Sequence, residues 1–272
     1  MQKPSEKKLQ SVDPVWQQLR NEAEVIVATE PQLASLLFSS LLAHENLEHA
    51  VAHRVASVLA CDDLPADLIR RLYDAALSDQ PDLGHVFRAD LSAVLDRDPA
   101  CYRLIEPFLF FKGFVSLQSQ RLAHWLWLNK RKDMALTLQS RLSLVTNVDI
   151  HPGATIGRGI LLDHASGFTA GETVVIEDCV SIMQNVTLGG SSTVKGSDRH
   201  PKIRRGVLIG AGAKVLGNIE VGECSRVAAS SVVLENVPPH KTVAGIPARI
   251  VGDAGCAEPS RKMDHSFCCD NI

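Results

Sequence analysis

The chain changes its hydrophobic rhythm once. Through residues 1–147 apolar side chains recur at three- and four-residue steps, the spacing of one helix face. Asp13-Pro14 predicts a helix start, with Asp as the cap and Pro at the first helical position. Val15, Trp16, Leu19, Ala23, Ile26 and Val27 mark the stripe that this helix buries. Further helical runs are expected over 32–60, 64–78, 82–96, 99–129 and 131–146, punctuated by Pro31, Pro65, Pro81 and Pro99. The most apolar stretch, PFLFFKGFVSLQSQRLAHWLWL at 107–128, belongs at the centre of the helical layer or in a subunit contact.

From residue 148 the period is six. Ile150, Ile156, Leu162, Phe168, Val174, Val180 and Val186 form one series, and Ile203, Ile209, Val215, Val221, Val227 and Val233 a second. A helix would give 3.6 and an ordinary strand 2; six is the hexapeptide repeat of a parallel β-helix. Each hexad supplies one short strand and one corner, three hexads make a coil, and coils stack at about 4.8 Å. Ala154, Ser166, Ala213, Ser225 and Ser231, four places after an aliphatic, are expected at the tight corners. The step from Val186 to Ile203 is 17 residues and breaks the register across GGSSTVKGSDRHPK, 189–202, which is expected to protrude as a loop. The fold class is therefore α+β: an α-helical domain over 1–147 followed by a parallel β-helix over 148–252. The prolines of VPPHKTVAGIPARIVG (237–252) end the repeat, and 253–272 reads as a flexible tail.

Composition narrows the partners. With 28 basic and 31 acidic residues in 272, net charge −3, nothing points to nucleic acid or an anionic membrane. No 18-residue apolar run predicts a membrane span, and the opening MQKPSEKKLQ has no apolar core of a secretory signal. Seven cysteines, an odd number with no CxxC, argue against a disulfide framework or structural zinc and fit the cytoplasm.

Chemistry is concentrated in DIHPGATIGRGILLDHASG, 149–167, where Asp149, His151, Asp163 and His164 interrupt a pattern of small residues. Together VDIHPGATIGRGILLDHASG, GETVVIEDCVSIMQNVTLGG, DRHPKIRRGVLIGAGAKVLGNIEVG and VPPHKTVAGIPARIVG resemble the serine O-acetyltransferases. HENLEHAVAHRVAS and DRDPACYRLIEPFLFFKGFVSLQSQRLAHWLW in the helical half agree, so the resemblance runs from about residue 13 to 252. Hexads alone would mark only the wider acyltransferase superfamily; DIHP, LLDH and DRHPKI together narrow it. The resemblance implies a left-handed β-helix and transfer of acetyl from acetyl-CoA to the hydroxyl of L-serine. The products are O-acetylserine and CoA, on the route to cysteine, which inhibits by feedback. It further implies trimers through the β-helix, paired into hexamers through the helices, with no metal and no permanently bound cofactor.

The family's residue roles fall on particular positions. His164 is expected as the general base that takes the serine proton, since imidazole titrates near working pH. Asp149 is expected to brace its other nitrogen from an adjacent coil. Arg199 in the loop, with His200 beside it, would clamp the serine carboxylate. Asp98 and Asp163 would hold the ammonium, although RDPACYRL also reads as a helix start capped by Asp98. Gly190, Gly210, Ala211, Gly212 and Ala229 are expected along the pantetheine arm, with Lys214, Lys241 and Arg249 for the CoA phosphates. His151 and Glu172 rank behind these, and Asp90 and Asp96 read as solvated helix residues. Cys179 and Cys224 read as packing residues, because the family attacks directly without an acyl-enzyme. The terminal Ile272, after Asp270 and Asn271, resembles the end that docks into O-acetylserine sulfhydrylase. Phe168 at an inward place, Ala228–Ala229 at a corner and the Cys268–Cys269 pair depart from the family pattern. Two other enzymes remain open on the same scaffold. One is an O-acetyltransferase for a sugar or a homoserine-like alcohol. The other is a γ-carbonic-anhydrase-like zinc enzyme using His151, His164 and His200.

Overall fold

The computed structural model describes residues 13–265. Ile272, with Asp270, Asn271 and Cys268–Cys269, lies outside the described residues.

The first helix, α1 (Pro14–Thr29), starts where Asp13 Oδ1 accepts a hydrogen bond from Trp16 N at 3.2 Å. The run expected over 32–60 is divided. A 3₁₀ turn at Pro31–Leu33 leads into α2 (Ala34–Leu37) and a π-helical stretch at Phe38–Leu42. Asn46 then caps a new helix, α3 (Leu47–Leu59). After α4 (Ala66–Asp79) and α5 (Leu83–Arg97), the run expected over 99–129 also splits, into α6 (Ile105–Leu109) and α7 (Lys112–Leu128). Polar side chains hold the break open: Asp98 Oδ1 accepts from Ala100 N at 2.8 Å and Glu106 Oε2 from Tyr102 N at 2.9 Å. α8 (Lys132–Thr146) completes the helical layer. α7 is buried continuously from Gly113 to Ala123, at the centre of that layer. A Cβ at Gly113 would stand 2.0 Å from Leu162 O, so the absent side chain lets α7 lie directly on the β-helix.

The strands are two to six residues long and wind as coils. The first coil holds β1 (Asp149–Ile150), β2 (Thr155–Ile156) and β3 (Leu161–Leu162). The second holds β4 (Thr169–Ala170), β5 (Val175–Ile176) and β6 (Ser181–Ile182), and the third β7 (Thr187–Gly189), β8 (Lys202–Ile203) and β9 (Leu208–Ile209). The fourth holds β10 (Lys214–Leu216), β11 (Glu220–Val221) and β12 (Arg226–Val227). β13 (Val232–Val233), β14 (Lys241–Gly245) and β15 (Ala248–Asp253) finish the stack. Every third strand pairs in parallel, giving three faces: β1-β4-β7-β10-β13, β2-β5-β8-β11 and β3-β6-β9-β12-β14, the last closed by antiparallel β15.

The pairing corrects the apparent unbroken repeat. Asp149 pairs with Thr169, 20 positions on, whereas Thr169 pairs with Thr187, 18 on. Two extra residues therefore lie between β3 and β4, in the turn that carries His164. The inward ladder runs Ile150–Ala170–Leu188–Val215–Val233. Phe168, Val174, Val180 and Val186 are buried too, but in the second inward position, two residues earlier. Counting by six passes from one position to the other without a visible break, because both face the interior. Phe168 takes the corner place expected for Ser166, whose hydroxyl instead bonds Lys112 at the edge. A second irregularity is larger: Val175 pairs with Lys202, 27 positions on, which leaves the 189–202 loop outside the coil.

The stretch after β15 does not leave the molecule. Ala254 N bonds His240 O at 2.9 Å and Ser260 N bonds Gly206 O at 3.3 Å, so residues 254–265, including α9 (Pro259–Lys262), strap back along the β-helix toward α5. Among the described residues no helix is long and apolar enough to cross a membrane.

Candidate active site

A cleft of about 1140 Å³ opens where α5 and α7 meet the first coil. Asp98 enters it from the end of α5, Asp163 and His164 from the turn after β3, and Arg261, Met263 and His265 from the strap. Asp98 is not the cap of a following helix, as α6 begins only at Ile105; it is the residue that ends α5. His164 and Ala165 take left-handed backbone angles, φ 53° and 61°, so the two-residue insertion forms a sharp turn that thrusts the imidazole outward. The His164 side chain is 71% exposed and its Nε2 lies 3.9 Å from Asp163 Oδ1. Burial pushes the Asp163 carboxyl above its ordinary range; the nearby His164 opposes the rise and the negative charge of Asp98 adds to it. Two carboxylates from different halves of the chain thus face one another beside an imidazole, a setting for a bound ammonium.

Other expected residues form a second cluster. His200 is buried, and its Nδ1 accepts from Thr173 N at 3.2 Å, which leaves Nε2 to carry the proton of the neutral ring. Burial, then the charges of Arg199 and Lys202, hold its pKa down. Arg199 lies 3.8 Å from Glu172 Oε2, so the loop guanidinium is loosely held by one carboxylate. His151 packs edge-on against Trp127, with ring centroids 4.9 Å apart, and its Nδ1 accepts from Gly153 N at 2.9 Å. Its pKa is lowered chiefly by burial, against the raising charges of Glu172 and Asp149.

Asp149 stands on this side. Its Oδ1 accepts from Gln139 Nε2 of α8 at 2.7 Å. Asp149 and His164 belong to the same first coil rather than to adjacent ones, and among the described residues of one chain they form no hydrogen bond with each other. The sites expected for zinc also divide: His151 and His200 neighbour one another, while His164 lies in the cleft. No group of three His, Cys, Asp or Glu that could hold a metal occurs among the described residues.

The residues expected for CoA separate likewise. The corner after β3 is followed on successive coils by Gln184–Asn185, Gly210–Ala211–Gly212 and Ala228–Ala229–Ser230, with Met183 still lining the cleft. Gly210 and Ala229 touch so closely that a Cβ on the former would lie 2.6 Å from Ala229 N. Two rungs to Gly210–Gly212 and three to Ala228–Ser230, at about 4.8 Å each, place this small-residue edge roughly 10–14 Å along from His164. Lys214 joins the edge through Asn185 O at 2.5 Å. Gly190 does not: it lies against Arg199 and His200 at the loop base. Lys241 is paired with Asp253 at 2.5 Å, and Arg249 stands 3.8 Å from Glu235.

Sequence reasoning missed the residues that hold the cleft together. Asp90, expected in solvent, is completely buried. It accepts from Ile160 N at 3.0 Å, Gln118 Nε2 at 3.0 Å and Arg121 Nη2 at 2.7 Å. Arg121 in turn donates to Ile156 O at 3.1 Å and Gly157 O at 2.8 Å, so this network bolts α5 and α7 to the first coil. A signal was present: Asp90 falls in register with Leu83, Phe87, Val94 and Arg97 on the buried face of α5. Asp96 is exposed, as expected, and pairs with Arg261 of the strap at 3.1 Å.

The chain resembles known proteins over most of its length. A family profile described as "Serine acetyltransferase, N-terminal" matches residues 15–119. The serine acetyltransferase of Salmonella typhimurium is 51% identical over 93% of this chain and 92% of its own. The crystal structure of serine acetyltransferase from Brucella abortus in complex with coenzyme A superposes with a TM-score of 0.88. It is 53% identical and covers 90% of this chain and 98% of its own. A serine acetyltransferase solved in complex with cysteine gives 0.91 at 47% identity, covering 93% and 98%. The parallel coils are those of the left-handed β-helix that these structures share. With half its residues identical across nearly the full length, on the same helical layer and β-helix, this chain belongs to the serine acetyltransferase family.

Proposed function

We propose that this serine acetyltransferase moves acetyl from acetyl-CoA to the L-serine hydroxyl by direct attack, with His164 as general base. The observation that carries the reading is the convergence of Asp98, Asp163 and His164 in one cleft, from opposite halves of the chain. The two carboxylates take the serine ammonium and present its hydroxyl to the imidazole, which removes the proton as the oxygen attacks the thioester carbonyl. The tetrahedral intermediate then breaks its C–S bond, and the imidazolium returns the proton to the departing CoA sulfur. Gln139 uses only Oδ1 of Asp149; once the exposed His164 ring turns toward Asp149, Oδ2 is the oxygen that accepts the imidazole N–H and stabilises the imidazolium. Acetyl-CoA lies along the small-residue edge above His164, through Gly210, Ala211, Gly212 and Ala229, with Lys214 toward its phosphates. Lys241 and Arg249 reach the phosphates at the far end of the stack.

Arg199 and His200 do not line the cleft of their own chain. In the trimer that the family resemblance implies, they belong to the neighbouring protomer's half of the site and clamp the serine carboxylate there. Cysteine, an amino acid with the same two charged ends, competes for this place as feedback inhibitor, as befits a relative solved with cysteine bound. The enzyme works in the cytoplasm, and Ile272 offers its carboxylate to O-acetylserine sulfhydrylase. His164→Ala tests the base assignment. Thiol release from acetyl-CoA with L-serine is expected to fall by about 10²–10⁴-fold while the fold persists. Near-normal turnover in that variant removes His164 from the role, and preference for L-homoserine or a galactoside would move the enzyme to another acceptor class.

A further inference from the structure

The mechanism leaves one buried cation unused. Arg97, the last residue of α5, is only 7% exposed, lies at the cleft and, among the described residues, has no carboxylate within hydrogen-bond distance. Its Nη1 donates to Ser181 Oγ at 3.1 Å and reaches Val180 O at 3.5 Å, and the Cys179 thiol lies beside the guanidinium, while among the described residues its Nε finds no partner. Burial lowers its pKa, the mark of a charge held in an unfavourable medium. An apolar side chain would fill the same space at less cost, so the guanidinium calls for another reason.

Its neighbours supply one. Val180 O is the carbonyl that also receives Leu161 N, at 3.1 Å, in the ladder between β3 and β6. Leu161 lies two residues before Asp163, and Arg97 is followed directly by Asp98. One carbonyl and one hydroxyl thus fix where α5 ends relative to the strand that leads into Asp163. Ser181 passes its own proton to Ser260 O at 2.7 Å, tying the strap to the same point. Asp90, seven residues earlier on the same helix face, holds the body of α5 to the first coil. At its tip Val94 packs with Leu161 and Asp96 pairs with Arg261 of the strap, and Arg97 adds the hydrogen bonds that reach the β6 backbone beside Leu161.

We propose that Arg97 is a positioning residue that sets the gap between Asp98 and Asp163, and through it the affinity for the amino-acid ammonium. The inference rests on the reading of Asp98 given above. Since the two carboxylates come from different elements, the end of α5 and the turn after β3, a shift of α5 by a fraction of its pitch would separate them. Arg97 touches neither substrate, and its effect should therefore vanish when Asp98 can no longer bind.

A double-mutant cycle on the full-length enzyme reads this out. Arg97→Met is expected to raise the KM for L-serine roughly tenfold, the equivalent of loosening one charge-assisted hydrogen bond, with the KM for acetyl-CoA unchanged. Arg97→Lys should recover part of the loss, and Ser181→Ala, which removes one acceptor of the guanidinium, should show a smaller rise. In the Asp98→Asn background Arg97→Met should add nothing further. Additive effects, an equal rise in both KM values, or a fall in kcat alone would overturn the proposal. If Asp98→Asn itself leaves serine KM unchanged, the ammonium site has been misassigned; if Asp98→Asn raises it and Arg97→Met does not, only the positioning role fails. Should Arg97→Met not fold, the comparison of Arg97→Lys with Ser181→Ala, each in both Asp98 backgrounds, decides by the same criterion.

Discussion

Replacing Asp90 by Leu removes the one negative charge that faces Arg121 in the seam between helices and β-helix. The loss can be sized from the contacts. Asp90 accepts three hydrogen bonds, from Ile160 N, Gln118 Nε2 and Arg121 Nη2, at 3.0, 3.0 and 2.7 Å. Arg121 is 7% exposed and Asp90 not at all. In the variant the guanidinium stays buried without a countercharge and Ile160 N loses its acceptor. Breaking a buried pair from one side costs about 3–5 kcal/mol. At roughly 2–4 °C per kcal/mol for a chain of this size, that is a fall in Tm of about 6–20 °C. The double variant Asp90→Leu/Arg121→Met removes both charges. It should lose less than the sum of the two singles, because the buried charge is gone, while the Ile156 and Gly157 carbonyls and the Ile160 N–H still cost about 1–3 kcal/mol each where water does not reach them. Calorimetry on the wild type, both singles and the double gives the coupling directly. A single-variant loss under about 1 kcal/mol, or additive losses in the double, would show that the seam does not depend on this pair.

Two further outcomes follow from the site. Asp163 is raised chiefly by burial, opposed by His164 and reinforced by Asp98. Its raised folded-state pKa contributes stability that is present below the unfolded value and lost as pH rises through the folded one. On the proposed role of Asp163, the carboxylate that takes the serine ammonium is lost as pH falls through that same raised value. Asp98→Asn removes a raising charge, so the acid limb of kcat/KM for serine should move to lower pH; a limb that stays or moves upward refutes the coupling. Deletion of Ile272 should abolish co-purification with O-acetylserine sulfhydrylase and leave acetyl transfer intact, and a complex that survives the deletion would place the docking surface elsewhere.

The strap gives the cleft a wall that the sequence had assigned to a flexible tail. Residues 253–265 carry little apolar periodicity, and what holds them is backbone pairing to corners far back in the chain, His240 and Gly206. Such pairing leaves no mark in local composition. The break at 98–104 was hidden for a similar reason. Pro99 was visible, yet the side-chain bonds from Asp98 and Glu106 that sustain a non-helical turn depend on the folded geometry.

By itself the sequence determined the class of architecture. A period of six admits neither a helix nor a flat sheet, and the helix period before it set where one half gives way to the other. Through the family resemblance that its motifs carry, it also pointed to Asp98, Asp163 and His164, while the residues alone read Asp98 as a helix cap. Only the tertiary structure decided which inward position each aliphatic takes, because both positions bury a side chain and spacing cannot tell them apart. The same ambiguity concealed the two extra residues that push His164 out of the coil. Tertiary contacts likewise decided that Asp90 is buried, since a carboxylate enters a core only where distant partners, here Arg121, Gln118 and Ile160 N, meet it. And they separated Arg199 and His200 from the cleft, for the position of a loop relative to a corner is set by how coils stack, not by its distance along the chain.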